Sequence, residues 1–265
     1  MMTNVFREKL NEGLPTLGTH ILTPHPDIFE LVGTTGEFDY AEFVAEYCTF
    51  DMTQLDHLAR AAQCHGLSLI IKLDQNNEGF WSQAAVGSGF HGVLFTDIRT
   101  PDDVKRCYEY LRPETPEAGG KMGVKTRRIT LGAGYSSDNY LAQLEAVGFL
   151  IMIEKAEAVE RLDEVLKVGE ELGVDMTQWG PSDYSVSVGD PSLRSKPEIK
   201  PIEERVIKAS LDHGIRPRIE ISNPEDAPYY LDMGVKDFCV DSDRTILQTA
   251  YKRLGSGFRG VVETR

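Results

Sequence analysis

The sequence predicts an α/β fold, namely a single (β/α)8 TIM barrel domain that covers residues 1–265. Short apolar runs alternate with amphipathic segments along the chain. The runs are almost continuously hydrophobic, as expected for strands buried on both faces of a parallel sheet. Eight such runs, in a chain near the usual barrel length, favour a closed barrel over an open sheet. No run leads into a Gly-x-Gly-x-x-Gly motif, so a dinucleotide-binding fold is not supported.

The first half of the chain contains four predicted strands, each an apolar run such as "LSLIIKL", and each followed by a predicted helix. In the second helix, Met52, Leu55 and Leu58 recur at helical spacing, between Asp51 in the N-cap position and Gly66 after the last turn. The predicted strands are 16–22, 40–46, 67–73 and 92–98, and the predicted helices are 25–36, 51–66, 79–89 and 100–111.

The second half repeats this order, beginning with the run "GFLIMIE". Its predicted strands are 148–154, 174–180, 216–222 and 235–241, and its predicted helices are 155–173, 202–214, 223–234 and 243–255. Between the halves, residues 112–137 are rich in Gly, Pro and cationic residues. A loop of this length is usually functional or disordered. We expect it at the active-site face, where the loops that follow barrel strands gather.

The overall charge of the chain narrows the classes of partner. The formal net charge is −14, which disfavours nucleic acid and anionic membrane surfaces as partners. The four cysteines are widely spaced, so neither a zinc ribbon nor a disulfide framework is indicated. The first residues are charged where a signal peptide is apolar, and "VGFLIMI" is far shorter than the roughly 20 residues of a membrane span. We therefore expect a cytoplasmic protein.

Two carboxylates at neighbouring strand ends indicate a metal site. Glu154 ends the run "FLIMIE", and Asp183 follows the next strand in "WGPSDYS". Carboxylate oxygens completed by water suit a hard divalent ion such as Mg²⁺ or Mn²⁺. Spacing alone leaves an alternative open, in which Glu154 begins a helix and Asp183 caps a turn.

The Gly-Pro turn before Asp183 is a second candidate. Its backbone N–H groups at Ser182 and Asp183 would form a cradle for a carboxylate or phosphate, although the stretch is equally compatible with a simple turn. Lys72 lies near the end of a buried strand, where a cation is costly unless it is paired or functional. It would bind an anionic substrate, form a Schiff base, or make a salt bridge to Glu46 or Asp74.

Three other strand ends or loops carry candidate residues. Glu46 and Tyr47 end the second strand, and His20 ends the first. Arg127 belongs to the cationic stretch "KTRR", which begins at Lys125. This stretch would hold a second acid group of a substrate, or it is a solvated loop or a salt-bridge set at an interface with a neighbouring subunit.

Five segments resemble the HpcH/HpaI family of metal-dependent 2-oxo-acid aldolases, and the resemblance extends over nearly the whole chain. "FREKLNEGLPTLGTHI" is similar to the family's opening helix and first strand, and "EFDYAEFVAEYCTFD" to its second strand. "LIMIE" resembles the family's Val-Gln-Ile-Glu, and "WGPSDYSVSVG" resembles its Gly-Pro-(Ala/Asn)-Asp-Leu-Ser signature. "YYLDMGVKDFCVDSDRTIL" resembles its last helix, strand and helix.

The resemblance implies a barrel in which Glu154 and Asp183 bind Mg²⁺, Mn²⁺ or a related ion. It also implies that the backbone at Ser182 and Asp183 holds a substrate carboxylate. In the family, the metal chelates a 2-oxo acid and acidifies the adjacent C–H for enolate formation. The implied protein is a class II aldolase-like lyase that forms a homo-oligomer, a trimer or hexamer, with exchanged C-terminal helices.

The chain departs from the family pattern at four positions. Tyr47 stands where the family has a catalytic His, Val44 where it has an Asp, Lys72 where it has an Arg, and Met152 where it has a Gln; Glu46 is retained. With an ordinary pKa of about 10, a Tyr is a poor base but a serviceable acid or hydrogen-bond donor. His20 is the candidate to replace the missing base.

The leading hypothesis is a divalent-metal-dependent carbon–carbon lyase that acts on a 2-oxo acid or a related carboxylate through a metal-stabilised enolate. Tyr47, Glu46 and His20 are the candidate catalytic residues, and Lys72, Ser182, Asp183 and Arg127 the candidate substrate-binding residues. The departures keep two alternatives open. The same site would serve decarboxylation, hydration or condensation, or the protein would bind a metal–carboxylate complex without catalysis.

Overall fold

Eight parallel strands close into a barrel in which each strand pairs with its neighbour in sequence and the last strand pairs with the first. The computed structural model describes residues 4–123, 126–133 and 138–264. The strands are β1 (Thr16–Ile21), β2 (Tyr40–Val44), β3 (Ser68–Leu73), β4 (Gly92–Phe95), β5 (Gly148–Ile153), β6 (Met176–Trp179), β7 (Arg216–Ile221) and β8 (Asp237–Ser242). The predicted (β/α)8 barrel is therefore confirmed, and every strand overlaps its predicted range.

Helices surround this barrel and connect its strands. Capping boxes begin two of them, at Asp51 with Gln54 and at Thr100 with Asp103, as the residue types at these positions favour. The helices are α1 (Val5–Asn11), α2 (Pro26–Thr35), α3 (Met52–Cys64), α4 (Glu78–Ser88), α5 (Pro101–Leu111), α6 (Arg127–Ala133), α7 (Asp138–Glu145), α8 (Ala156–Glu160), α9 (Leu162–Glu171), α10 (Pro181–Ser187), α11 (Lys200–Asp212), α12 (Ala227–Asp232) and α13 (Asp243–Val262). The predicted helix 155–173 is divided at Arg161 into α8 and α9.

The apolar core has two layers, because successive side chains on each strand point to opposite faces of the sheet. In β3, Leu69 and Ile71 belong to the large outer layer between the strands and the helices. Ile70 belongs to an inner layer in the barrel, where Phe6 of α1 packs edge-on against Tyr40 with ring centroids 5.3 Å apart. Apolar residues thus fill the interior on the side of α1 and leave the other end for polar side chains.

The loop predicted for residues 112–137 at the active-site face is not found in the described parts of this segment, which include helix α6. The segment follows the end of α5, and a helix after a barrel strand returns the chain to the opposite face. Arg112 accordingly donates from Nη1 to the carbonyl of Val147, directly before β5 (2.8 Å). Arg127, at the start of α6, contacts Ser88 at the end of α4 (3.1 Å). Residues 124, 125 and 134–137 of this segment lie outside the described part.

The C-terminal helix α13 presents an uncovered apolar face. Of its side chains, only Asp243 is buried. Five of its exposed apolar residues recur at alternating spacings of four and three, which places them on one side of the helix. They are Leu247, Tyr251, Leu254, Phe258 and Val261. Within the described ranges, no helix combines the length and the apolar character that a membrane span requires.

Candidate active site

Polar side chains gather inside the barrel at the C-terminal ends of the strands. Ile70 in the inner layer and Ile71 in the outer layer set the alternation of β3, which turns Lys72 inward. The same alternation turns Glu154 inward after Leu150 and Met152 of β5. The polar residues that lie at this end of the barrel or just beneath it are His20, Glu42, Glu46, Lys72, Glu154, Gln178, Arg218 and Glu220.

The carboxylate of Glu154 is buried away from solvent. It is 2% exposed, and its Oε1 accepts the backbone N–H of Asp97 (2.9 Å). Burial raises its pKa to about 7, the charge of Asp183 adds to this effect, and Lys72 opposes it. A Cβ atom on Gly180 would stand 2.7 Å from Glu154 Oε2, so only glycine leaves room for this carboxylate.

Asp183 lies beside Glu154 in the first turn of α10 and is more open, with a side chain 39% exposed. Its Oδ1 lies 3.3 Å from Nζ of Lys155, whose ammonium also lies 2.5 Å from Oδ1 of Asp97. The predicted pair therefore comes together, and a lysine and a third carboxylate accompany it. Asp97 has a left-handed backbone with φ of 58°, which is uncommon for a residue other than glycine.

Lys72 forms a salt bridge with Glu46, with 3.0 Å between Nζ and Oε2. Burial opposes the charge of Lys72, but Glu46 and Glu154 outweigh it and raise the lysine pKa above its ordinary value. The amine stays protonated, which disfavours the Schiff-base alternative, because that chemistry needs a neutral amine. The pKa of Glu46 is itself raised by burial, although Lys72 opposes the rise.

Tyr47 closes this cluster from the solvent side. Its ring is 56% exposed and lies 5.2 Å from Lys72 Nζ, within reach of a cation–π contact. Burial of the phenol raises its pKa above the ordinary value, although Lys72 opposes the rise. The hydroxyl therefore stays protonated near neutral pH, and Tyr47 offers a hydrogen bond rather than a base.

His20 lies on the other side of the barrel mouth between two carboxylates. Its Nε2 is 3.3 Å from Glu42 Oε1 and 3.2 Å from Glu220 Oε1, and its Nδ1 is 3.1 Å from the carbonyl of Asp241. Burial disfavours the charge, but Cys239 and Glu220 raise the pKa of His20 well above its ordinary value. All three neighbouring oxygens are acceptors, and this arrangement favours a proton on each ring nitrogen, that is, the imidazolium form of His20.

Beneath His20 lies a buried ion pair that the sequence did not reveal. Arg218 Nη1 is 2.5 Å from Glu42 Oε2, and both side chains are 0% exposed. Arg218 also contacts Gln178 and lies 5.7 Å from the ring of Tyr40. A signal was present in β7, since Arg218 precedes Glu220 by two residues, which puts both side chains on one face of the strand.

Two predicted residues lie apart from the carboxylate cluster. The Ser182 hydroxyl accepts a hydrogen bond from Arg194 Nη1 (3.1 Å), while its backbone N–H lies in the first turn of α10. Arg127 binds both carboxylate oxygens of Asp56 on α3, at 2.5 and 2.6 Å. This pair is on the outside of the barrel. Lys125, the start of the same cationic stretch, lies outside the described residues.

The donor set fits a divalent cation. Glu154 and Asp183 supply hard oxygen ligands, and a cation between them would relieve the repulsion and the burial that raise the pKa of Glu154. Among residues 4–123, 126–133 and 138–264, no three His, Cys, Asp or Glu side chains are arranged to hold a metal together. A site with two protein ligands leaves positions for water and substrate.

A cavity of about 350 Å³ adjoins the cluster on the side of β7 and β8. Its lining includes His20, Glu220, Ser222, Asp241 and Trp179. The cavity gives the site room for a ligand larger than its metal-binding end.

Comparison with known proteins supports one family. Residues 51–235 match the model of the HpcH/HpaI aldolase/citrate lyase family. A 2-keto-3-deoxy-L-rhamnonate aldolase from Escherichia coli O17:K52:H18 is 25% identical over 210 residues, which are 78% of this chain and 75% of that protein.

Two solved structures share the fold. The HpcH/HpaI aldolase from Desulfitobacterium hafniense DCB-2 has a TM-score of 0.83 at 20% identity over 96% of each chain. The citrate synthase SbnG has a TM-score of 0.80 at 20% identity over 97% of each chain. With more than half of its residues matched by the family model, the chain belongs to the HpcH/HpaI aldolase/citrate lyase family and is a carbon–carbon lyase.

Proposed function

We propose that this protein is a divalent-metal-dependent lyase that cleaves a 2-oxo acid or a closely related carboxylate. One observation carries the proposal: Glu154 is buried next to Asp183 with a pKa raised to about 7, and Gly180 makes room for its carboxylate. A charged group is rarely buried without a balancing charge. Lys155 and Lys72 offset part of the charge of this pair, and a divalent cation between the two carboxylates would balance the rest.

Glu154 and Asp183 hold the cation, Mg²⁺ or Mn²⁺, in this proposal. When bound, the ion polarises the oxo group of the substrate and makes the neighbouring C–H more acidic. The backbone N–H groups of Ser182 and Asp183 receive the substrate carboxylate, because the first N–H groups of a helix have no partner within it. Lys72 adds a positive charge that acts on Glu154.

Glu46 is the residue that we assign to proton transfer. Burial raises its pKa, which favours uptake of a proton, while its salt bridge to Lys72 favours return of that proton. Tyr47 donates a hydrogen bond at the solvent side and orients Glu46 or the substrate oxygen. His20 acts as a hydrogen-bond donor, because the imidazolium has no free lone pair for a base.

Pyruvate with Mn²⁺ in D₂O provides the direct test. We expect the methyl ¹H signal of pyruvate to disappear at a rate that depends on protein and metal, because the proposed site acidifies that C–H. Samples without metal, and with excess chelator, should show no exchange above the buffer rate. Metal binding without exchange of pyruvate or of any other 2-oxo acid tested would contradict the proposal and favour a binding protein.

The protonated Tyr47 favours a second outcome at the same site. Where the relatives in the family use a base beside the retained Glu, this chain has a hydrogen-bond donor, which suits decarboxylation or condensation better than aldol cleavage. Oxaloacetate is the discriminating substrate in the same assay. Its consumption without aldol formation from pyruvate and aldehydes would select this second outcome. The 2-keto-3-deoxy-L-rhamnonate aldolases make hydroxylated 2-oxo acids the first aldol substrates to try.

We infer that the protein assembles into a trimer or hexamer through α13. The apolar face of this helix has the spacing that packs against another helix. An uncovered apolar face of this kind marks an interaction surface. Exchange of α13 between subunits, as the family resemblance implies, would cover it.

Phe258→Asp should convert the oligomer into smaller species, because Phe258 is a large side chain on this face and is 70% exposed in one chain. Light scattering after size-exclusion chromatography measures the mass. Ser256→Asp adds the same charge on the opposite side of α13 and should leave the mass unchanged. An unchanged mass in Phe258→Asp would show that α13 does not hold the subunits together.

A further inference from the structure

Lys155 and Asp97 connect the two proposed metal ligands. The Asp97 backbone N–H donates to Glu154 Oε1 (2.9 Å), and the Asp97 carboxylate lies 2.5 Å from Lys155 Nζ. The same Nζ lies 3.3 Å from Asp183 Oδ1. One residue therefore touches Glu154 through its backbone and reaches Asp183 through the lysine.

The backbone conformation of Asp97 indicates that its contacts hold this residue in place. Its φ of 58° is unfavourable for most residues and persists where the surroundings hold it. The N–H to Glu154, the salt bridge to Lys155 and a carbonyl that accepts Arg99 Nη1 (2.9 Å) provide that hold. The side chains of Asp97 and Lys155 are only 12% and 16% exposed, so water screens their attraction weakly.

Among the groups that Lys155 connects, carboxylates outnumber ammonium groups. Three carboxylates, those of Asp97, Glu154 and Asp183, share the nearby ammonium of Lys155. Without that ammonium, Asp97 would retain the more distant Arg99 Nη2, 3.8 Å from its Oδ1, and its carboxylate would become available as a third oxygen ligand for a hard divalent ion. With it, Asp97 is neutralised and turned to a partner other than a metal.

We propose that Lys155 is a positioning residue that keeps Asp97 out of the metal's ligand set. The site then has two protein carboxylates, and positions on the ion remain free for the two oxygens of a chelating 2-oxo acid. Lys155 thereby weakens metal binding and strengthens substrate binding to the loaded protein. This inference rests on the proposed function, because it needs a metal at Glu154 and Asp183.

Calorimetric titration of the metal-free protein with Mn²⁺ tests whether Lys155 weakens metal binding. Lys155→Met should bind Mn²⁺ at least about tenfold more tightly than the unmodified protein, because a cation a few ångströms from the site is removed. Lys155→Met combined with Asp97→Asn should return to within about threefold of the unmodified affinity. Asn tolerates the left-handed backbone, so this change removes the third carboxylate and retains the N–H to Glu154.

Oxalate binding tests whether Lys155 strengthens substrate binding to the loaded protein, since oxalate chelates a metal like a 2-oxo acid but is not turned over. It should bind the Mn²⁺-loaded Lys155→Met protein at least about tenfold more weakly than the loaded unmodified protein, and the double variant should recover. Lys167→Met, which removes an exposed lysine on α9, is the matched charge control and should change neither affinity.

The outcomes separate this inference from the proposed function. If the unmodified protein binds no Mn²⁺, the proposed function fails. If it binds Mn²⁺ and Lys155→Met leaves the Mn²⁺ affinity unchanged or lowers it, only the role of Lys155 is overturned. Tighter binding of Mn²⁺ that persists in the double variant would also overturn it, because the effect would not act through Asp97. Circular dichroism establishes that each variant is folded.

Discussion

Glu154→Gln is expected to lose Mn²⁺ binding by on the order of 100-fold or more, and with it all metal-dependent turnover. Gln keeps an oxygen for the Asp97 N–H but carries no charge, so the fold is retained while the hard anionic ligand is lost. This loss should exceed the roughly 10–100-fold fall in metal affinity that follows removal of a residue hydrogen-bonded to a metal ligand. Calorimetric titration with Mn²⁺ measures it.

Glu157→Gln is the matched control for this change. It removes the same charge three residues later on α8, where the side chain is 49% exposed and faces Arg161. We expect unchanged metal affinity in the control. Unchanged affinity in Glu154→Gln would show that the ion binds elsewhere, and the assignment of the site to the ends of β5 and β6 would be wrong. A loss of folding would be visible as altered circular dichroism.

Arg218→Met is expected to lower the free energy of unfolding by about 3–5 kcal/mol, because it leaves the Glu42 carboxylate buried without its main partner. His20, 3.3 Å from Glu42, compensates in part, so the lower end of this range is expected. Urea unfolding followed by circular dichroism measures the change. Arg218→Met combined with Glu42→Gln removes both charges and should be more stable than Arg218→Met alone.

The same ion pair sets an acid limit to stability. Burial would raise the pKa of Glu42, but Arg218 and His20 prevail and lower it to about 2. A carboxyl with a lower pKa in the folded state stabilises the fold above its unfolded pKa, and this contribution is lost as pH falls from about 4.5 toward 2. In Arg218→Met the folded-state pKa of Glu42 should rise toward the unfolded value, so less stability should be lost over this pH range. Equal stability of the two proteins at neutral pH would contradict the ion-pair assignment.

The order of strands and helices was predictable because it is written in local patterns. Apolar runs, N-cap residues such as Asp51 and Thr100, and helical spacing act over a few residues, so they need no knowledge of the fold. The closeness of Glu154 and Asp183 in the barrel was predictable for a related reason. A parallel barrel brings every strand end to one rim, so residues at strand ends become neighbours.

Contacts between residues that are far apart in the sequence were not predictable in the same way. Arg218 and Glu42 are 176 positions apart, and their contact depends on closure of the barrel through the β8–β1 pair. The predicted position of the segment 112–137 was wrong for its described residues. The composition of the segment indicates a loop, but it does not indicate to which end of the barrel α5 returns the chain.

The sequence by itself determined the barrel, its eight strands, the family, and the candidate carboxylates at the strand ends, since each depends on local pattern or on a short motif. Only the tertiary structure decided that His20 lies between two carboxylates, that Lys72 is paired with Glu46, and that Lys155 engages Asp97. The physical reason is that charge and protonation depend on distance and burial. Both are properties of the closed barrel rather than of any one strand.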